Sequence, residues 1–539
     1  MINRFGAILR EGRNDPRIKL GAGIASTTVA VSVVAWQVSP YLRLAPEALA
    51  RAGLLRDDAF FYSALVENHA HYGFFTLDGE MPTNGFQPLW MLVLMAVHAI
   101  TGVAALRLLP LATYFTYLAL TGLASWFAYG SDLLRGLPRV ALVAVLVLAN
   151  ARFQGSVVTG LETPLTLLVI LVWAVAIDRS DAGPIETGTR RVARLGGLGA
   201  LAGACFLART DLLWVPLVTI GWWVWRHRRD WRGTVAVAAG AACLVLPYLV
   251  WNFVTQGALM PVSGRVKVHL MNQWFSTPQA YWNSVEWRGL FTMFEKWLPA
   301  LSPSAVVPTV IALLAGTFVA CLLPWTGRAL PLSLRLSGVI VGLHAATMYA
   351  AYRELRPYTE YYFAPEMLVC VLILAHFIAR VRWPVAAAAI VVVICAASSS
   401  QAHATTVRTN PYWETRVDTI HQLDALAATD DRVGAFWPGA VAALTGRPVT
   451  PLDGVIGSMA YLRDTIVPGR EMEYASAHGI RWIFVHAEPR DLTASRPPAT
   501  PMWDSLGLRR LWDWRDRLRV AYSKGGWTIV ELLPARDRS

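Results

Sequence analysis

The sequence predicts a polytopic α-helical membrane protein carrying a small α/β domain after its last span. Over 539 residues, 55% are apolar and only 16% are charged, against about a quarter charged in an ordinary soluble protein. Apolar runs near eighteen residues recur along the chain, long enough to cross a bilayer as helices. The net charge of +12 is dispersed in short arginine clusters between those runs. That placement orients spans by the positive-inside rule and argues against nucleic acid as a partner.

The N-terminus carries Arg4, Arg10, Arg13, Arg17 and Lys19 before an apolar run at 20–37. It reads as an uncleaved first span with a cytoplasmic N-terminus, in a multi-pass protein of the cytoplasmic membrane. Later basic clusters include Arg135 with Arg139, Arg190 with Arg194, Arg226 with Arg232, Arg328 with Arg335, and Arg380 with Arg382. Between them fit spans at 108–128, 139–151, 162–177, 195–208, 212–225, 233–252, 304–323, 336–351, 361–378 and 383–398, about eleven with the first. A further apolar run, 86–102, breaks the alternation of sides if it crosses fully. It is therefore expected to be re-entrant or interfacial, within a first outer loop spanning 38–107.

Residues 1–399 thus form a transmembrane module, and 400–539 an extracytoplasmic α/β domain. In the latter, VGAF (433–436) and IRWIFV (480–485) read as strands, and 519–533 as a hairpin turning at Gly525-Gly526. The five cysteines, Cys205, Cys243, Cys321, Cys370 and Cys395, all lie in apolar runs without metal-type spacing. They read as packing residues. Gly197-Leu198-Gly199 resembles a fragment of a dinucleotide fingerprint. Inside a span, Gly199 and Gly203 serve instead as a small-residue packing face.

The polar and ionisable residues of note fall on the outer side. RDDAFFY (56–62) puts Asp57 beside Asp58 at the start of a helical pattern. Asp58, Phe61, Tyr62, Leu65 and His69 share one face of that pattern, as in an amphipathic helix lying along the membrane. Either acid suits an N-cap, and two neighbouring acids with coupled titration also suit a general base. PTNGFQPLW (82–90) offers Asn84 and Gln87 as hydrogen-bonding amides for a polyhydroxylated ligand, or is simply a turn entering the membrane. His69 and His71 lack further metal-type partners in sequence.

TGLETPL places Glu162 at the start of a span, and LARTDLL places Arg209 and Asp211 between two spans. Ionisable groups near membrane depth cost about 2.5–3.5 kcal/mol on insertion scales and tend to mark function. The stretch 251–270 presents Ser263, Gly264, Arg265 and Lys267, a composition suited to a phosphate. The turn 351–363 adds Glu360 and Tyr361 among other charges and tyrosines.

Taken in order, DDAFFYSALVENHAHYGFFTLDG, PTNGFQPLW, TGLETPL, LARTDLL, GALMPVSGRVK and the LDG at 452–454 resemble segments of the GT-C superfamily of membrane glycosyltransferases. That superfamily includes protein O-mannosyltransferases, aminoarabinose transferases of lipid A and mycobacterial arabinofuranosyltransferases. The resemblance implies transfer of a sugar from a polyprenyl-phosphate donor to a hydroxyl of a cell-envelope glycan or lipid, outside the membrane. It implies Asp57 as general base with Asp58 as the near alternative. Ser263, Arg265 and Lys267 would bind the donor phosphate. Glu162, Arg209, Asp211, Asn84, Gln87, His69, Glu360 and Tyr361 would shape the sugar and acceptor pocket. Glu162 has no second acid two residues away, unlike the oligosaccharyltransferase branch. No metal or other cofactor is therefore expected, with a divalent cation as the alternative. A flippase of lipid-linked sugars and a non-catalytic envelope scaffold are the competing readings. A transporter is expected to show internal repeats and broken midplane helices, and no convincing repeat stands out.

Overall fold

The computed structural model describes residues 16–129, 139, 143, 151–182, 188–274, 330–352, 361–378, 410–494 and 510–534. Their main helices are α1 (Pro16–Gln37), α2 (Asp57–Tyr72), α3 (Pro88–Thr101), α4 (Ala105–Tyr129), α5 (Thr163–Ala182), α6 (Thr189–Ala208), α7 (Trp214–Arg226) and α8 (Trp231–Gln256). They continue with α9 (Val262–Trp274), α10 (Leu332–Tyr352), α11 (Ala364–Ile378), α12 (Pro411–Leu426) and α13 (Pro438–Thr445). Among the described residues, six helical segments are long and apolar enough to cross a membrane: Leu20–Gln37, Ala105–Tyr129, Thr163–Ser180, Thr189–Ala208, Trp231–Gln256 and Tyr361–Ile378. The chain is a multi-pass membrane protein.

The expected spans at 304–323 and 383–398, and nearly all of 139–151, lie outside the described residues. The run 86–102 forms α3, whose 14 residues extend about 21 Å. That falls short of a hydrocarbon core of about 30 Å.

Small residues bring α6 and α8 together. A Cβ added at Gly199 would collide with the Val237 carbonyl, and one at Gly240 with the Gly196 carbonyl. A Cβ at Gly203 would stand 2.9 Å from the Ala241 carbonyl oxygen. This is the close backbone approach that small-xxx-small spacing permits.

Beyond the membrane helices, five strands form one sheet in the order β2-β1-β3-β5-β4, with β1 Arg432–Ala435, β2 Val449–Pro451, β3 Ile480–His486, β4 Leu518–Lys524 and β5 Trp527–Leu532. The β2-β1-β3 half is parallel and the β3-β5-β4 half antiparallel. Gly525 and Gly526 both have positive φ at the β4–β5 turn, as a two-residue hairpin with the right twist requires.

Contrary to the surface-helix expectation, α2 is buried on all sides from Ala59 to Val66. One flank packs on the membrane helices and the other on α13, whose Gly439 leaves no room for a Cβ against the Asp57 carbonyl and the Phe61 ring. An amphipathic pattern was expected because α13 lies almost four hundred residues downstream, out of reach of local periodicity. The same apolar core runs continuously from α2, α4 and α11 into β1, β3 and β5.

Candidate active site

A cavity opens where six chain segments meet: the first turns of α2, the turn before α3, the turn before α5, the 3₁₀ turn Thr210–Leu212, the start of α9, and Tyr361-Tyr362. Val455 and Ile456, from the loop after β2, complete its wall. Gly85 makes this approach possible, since a Cβ there would stand 2.6 Å from the Val455 carbonyl oxygen.

Asp58 lines the cavity and accepts a 3.4 Å hydrogen bond from the Tyr361 hydroxyl. Burial lifts the Asp58 carboxyl above the ordinary carboxylate range, opposed by Lys267 and reinforced by Asp57. Glu162 lines the same cavity and accepts from the Tyr62 hydroxyl at 3.1 Å. That phenol oxygen in turn accepts from the Gln87 backbone N–H, while the Gln87 side-chain oxygen accepts from the Thr210 N–H at 3.0 Å. Gln87 thereby ties three of the lining segments together.

Lys267 reaches the Tyr362 hydroxyl at 2.5 Å and sits 5.2 Å from the centre of its ring. Ser263 and Gly264 line the cavity at the start of α9, a 13-residue helix. The positive dipole end of α9 there favours an anion, although its Val262 N–H is already taken by the Asn84 side chain.

Asp211 lines the cavity with Arg209 directly behind it. Arg209 is fully buried, and its Nη1 donates to the carbonyls of Tyr361 and Tyr362 at 3.1 and 3.3 Å. Burial pushes Asp211 upward, but Arg209 and His344 outweigh it and hold the carboxyl well below the usual range. His344, also fully buried, stands 3.4 Å from Asp211 and 2.5 Å from Glu366. These acid and histidine partners come from α10 and α11 and carry no sequence motif. Among the flanking groups, Asp453 of the LDG segment is pushed well above the carboxylate range by burial, with the Asp57 and Asp58 charges adding to the effect.

The remaining candidates stand elsewhere. Asp57 turns away from the cavity and is held by Arg416, Gly439 and Ala440. Neither acid caps α2, whose N-cap is Arg56. Asn84 is a buried staple, its amide donating to Asn252 at 3.0 Å while its oxygen accepts from the Val262 N–H. His69 lies in a tilted ring contact with Phe75 near the far end of α2. Arg265 is exposed and absent from the cavity wall. Its segment is a helix rather than a loop, and two residues on a helix stand about 200° apart, so Arg265 and Lys267 cannot both face inward. Glu360 lies outside the described residues.

No known family model and no curated protein matches the chain. Among solved structures it is similar to ArnT from Cupriavidus metallidurans in the apo state, with a TM-score of 0.45 and 12% identity over 95% of this chain and 98% of that one. The same protein bound to undecaprenyl phosphate matches with a TM-score of 0.42 and 12% identity, over 94% and 97%. The apo oligosaccharyltransferase of Archaeoglobus fulgidus gives a TM-score of 0.47 and 13% identity, over 87% and 70%. At such identity the likeness concerns the fold.

Proposed function

We propose that the chain is an inverting glycosyltransferase that moves a sugar from a polyprenyl-phosphate donor to a hydroxyl of a cell-envelope glycan or lipid. Transfer takes place on the outer face of the cytoplasmic membrane, where residues 400–539 form an extracytoplasmic domain. The observation that carries this reading is one cavity holding a carboxylate, Asp58, together with a cation and a helix N-terminus, Lys267 and Ser263-Gly264.

In this reaction the acceptor oxygen attacks the anomeric carbon from the face opposite the phosphate, forming the new C–O bond. The bond from that carbon to the phosphate oxygen breaks, and its electron pair leaves with the polyprenyl phosphate. Asp58, rather than Asp57, takes the acceptor proton, because its carboxylate faces the cavity while that of Asp57 is fully engaged. A positioned base of this kind contributes about 10²–10⁴-fold. Lys267 and the start of α9 stabilise the charge that grows on the departing phosphate. Glu162, Asp211 and Gln87 supply hydrogen-bonding groups for the sugar and the acceptor.

The test uses the purified full chain in lipid nanodiscs with a panel of polyprenyl-phosphate sugars and envelope glycan fractions. Release of polyprenyl phosphate, followed by mass spectrometry and lost in Asp58→Asn, supports the reading. Absence of release from every donor in folded protein overturns it.

A further inference from the structure

Asp57 and Asp58 are neighbours in sequence, yet their carboxylates serve different sides of α2. About 100° of helical rotation separates consecutive side chains, so fixing one acid fixes the direction of the other. Asp57 is fixed thoroughly. Its Oδ1 pairs with the Arg416 guanidinium and accepts from the Ala440 N–H at 2.9 Å, and its Oδ2 accepts from the Gly439 N–H at 3.3 Å. Gly439 and Ala440 belong to the first turn of α13, so Asp57 caps a helix remote in sequence.

Arg416 is itself immobilised. It is 2% exposed, its guanidinium lies 5.5 Å from the Trp413 ring centre and 4.8 Å from that of Trp527, and it also donates to the Trp437 carbonyl at 3.3 Å. None of these groups lines the cavity. A buried arginine aimed at a carboxylate beside the candidate base is more than sheet packing requires, since apolar residues of similar volume often serve stability as well.

We propose that Arg416 is a positioning residue: through Asp57 it sets the rotation of α2 and balances the charge beside Asp58, so the segment after the last span governs the base. The proposal rests on the assignment of Asp58 as base. It goes further in naming a residue that touches neither donor nor acceptor.

The charge beside Asp58 has a signed consequence. Groups facing Asp58 are Lys267 from α9, Tyr361 before α11, Asp453 after β2, and Arg56, Asp57 and Tyr62 on its own segment, with Glu162 and Asp211 across the cavity. Only the Asp57–Arg416 pair changes in the variants below. Arg416→Met leaves the Asp57 charge unbalanced and raises the Asp58 titration midpoint. Asp57→Asn leaves Arg416 unbalanced and lowers it. The double variant returns it toward the starting value, and Arg416→Lys stays near it.

The experiment is pH-titrated difference infrared spectroscopy of the full chain in nanodiscs, with the Asp58 carboxyl signal identified by its loss in Asp58→Asn. Steady-state turnover is measured alongside, with any polyprenyl-phosphate sugar the wild type consumes. Opposite shifts in the two single variants, with kcat in Arg416→Met reduced about 10²-fold by misplacement of the base and KM little changed, support the proposal. Should Arg416→Met fail to fold, Asp57→Asn and the double variant decide the matter. An Asp58 midpoint equal in wild type, Asp57→Asn and the double variant overturns it. If the wild type consumes no donor, the glycosyltransferase reading falls, and the infrared shifts still decide the role of Arg416.

Discussion

The Lys267 ammonium lies 2.5 Å from the Tyr362 hydroxyl, and the Tyr362 ring stacks on Tyr361, whose own hydroxyl reaches Asp58. Cation and acid are thereby held in one cavity but spaced by two phenol rings. A direct pair would neutralise both groups and leave neither for a substrate. Separated, one can meet a phosphate while the other meets a hydroxyl.

Lys267→Met is expected to lower kcat by about 10²–10³-fold, the usual cost of losing a donor aimed at developing charge. Lys267→Arg should retain part of the rate. Tyr362→Phe should act more mildly, since it removes one hydrogen bond of the ammonium and leaves the charge in place. Steady-state release of polyprenyl phosphate measures all three, and an unchanged rate in Lys267→Met would remove the phosphate role.

Asp58 must be ionised to accept a proton. Its folded pKa is raised by burial, so activity is full above that pKa and falls as pH drops through it. The acid limb of kcat/KM should therefore lie above the ordinary carboxylate value of about 4. Asp58→Asn should abolish the limb together with about 10²–10⁴-fold of the rate. A limb at or below the ordinary value would contradict the assignment.

Glycine substitutions should divide by sign. Gly85→Ala puts a Cβ 2.6 Å from the Val455 carbonyl oxygen, and Gly160→Ala puts one 2.8 Å from the Ala59 Cβ at a φ of +85°. Both should lower the thermal midpoint in detergent and impair the cavity. Gly221 stands inside α7 with nothing within 4 Å. Gly221→Ala should stabilise by up to about 1 kcal/mol, the helix-propensity difference. A stabilised Gly85→Ala protein would show that the loop after β2 does not press on this turn.

The buried His344–Glu366 pair supports Asp211 from behind the cavity. Glu366→Ala removes the nearer of the two acids around buried His344 and should destabilise by less than the about 3–5 kcal/mol of a wholly broken buried pair, with turnover falling in parallel. Glu366→Gln keeps an acceptor and should cost much less. Equal thermal midpoints for the two variants would rule out the pairing.

Outside the membrane, burial lifts Glu471 to about 7, against the pull of Arg510. An acid with a raised folded pKa favours the folded state at low pH and loses that contribution as pH rises through the folded value. Stability of this region should therefore decline between pH ~4.5 and about 7. Glu471→Gln should flatten that decline. Hydrogen exchange on β3 and the neighbouring helix Glu471–Ala477 provides the readout.

Much of the fold is legible in sequence because its signals are local. Apolar runs give α1, α4, α5, α6, α8 and α11, and the Gly525-Gly526 turn marks the hairpin. Strand β2 has only three residues, too few for alternation to register. The site is legible as a set of segments rather than as individual residues. Asp57 and Asp58 look equivalent until Arg416, 359 residues away in sequence, engages the first of them. Likewise Arg265 and Lys267 look equivalent until α9 turns one of them outward. Asn84 has the amide chemistry suited to a sugar ligand, but it is fully buried and held by Asn252 and Val262.

The Asp57–Arg416 contact also sets a schedule. At about 5–20 residues per second of synthesis, the sequence separation of 359 from Asp57 to Arg416 takes roughly 20–70 s to translate. Throughout that interval α2 exists without the arginine that holds Asp57. The candidate cavity therefore receives its wall residues Val455 and Ile456 late in translation, and nascent chains halted before Arg416 should be inert however well their membrane helices insert.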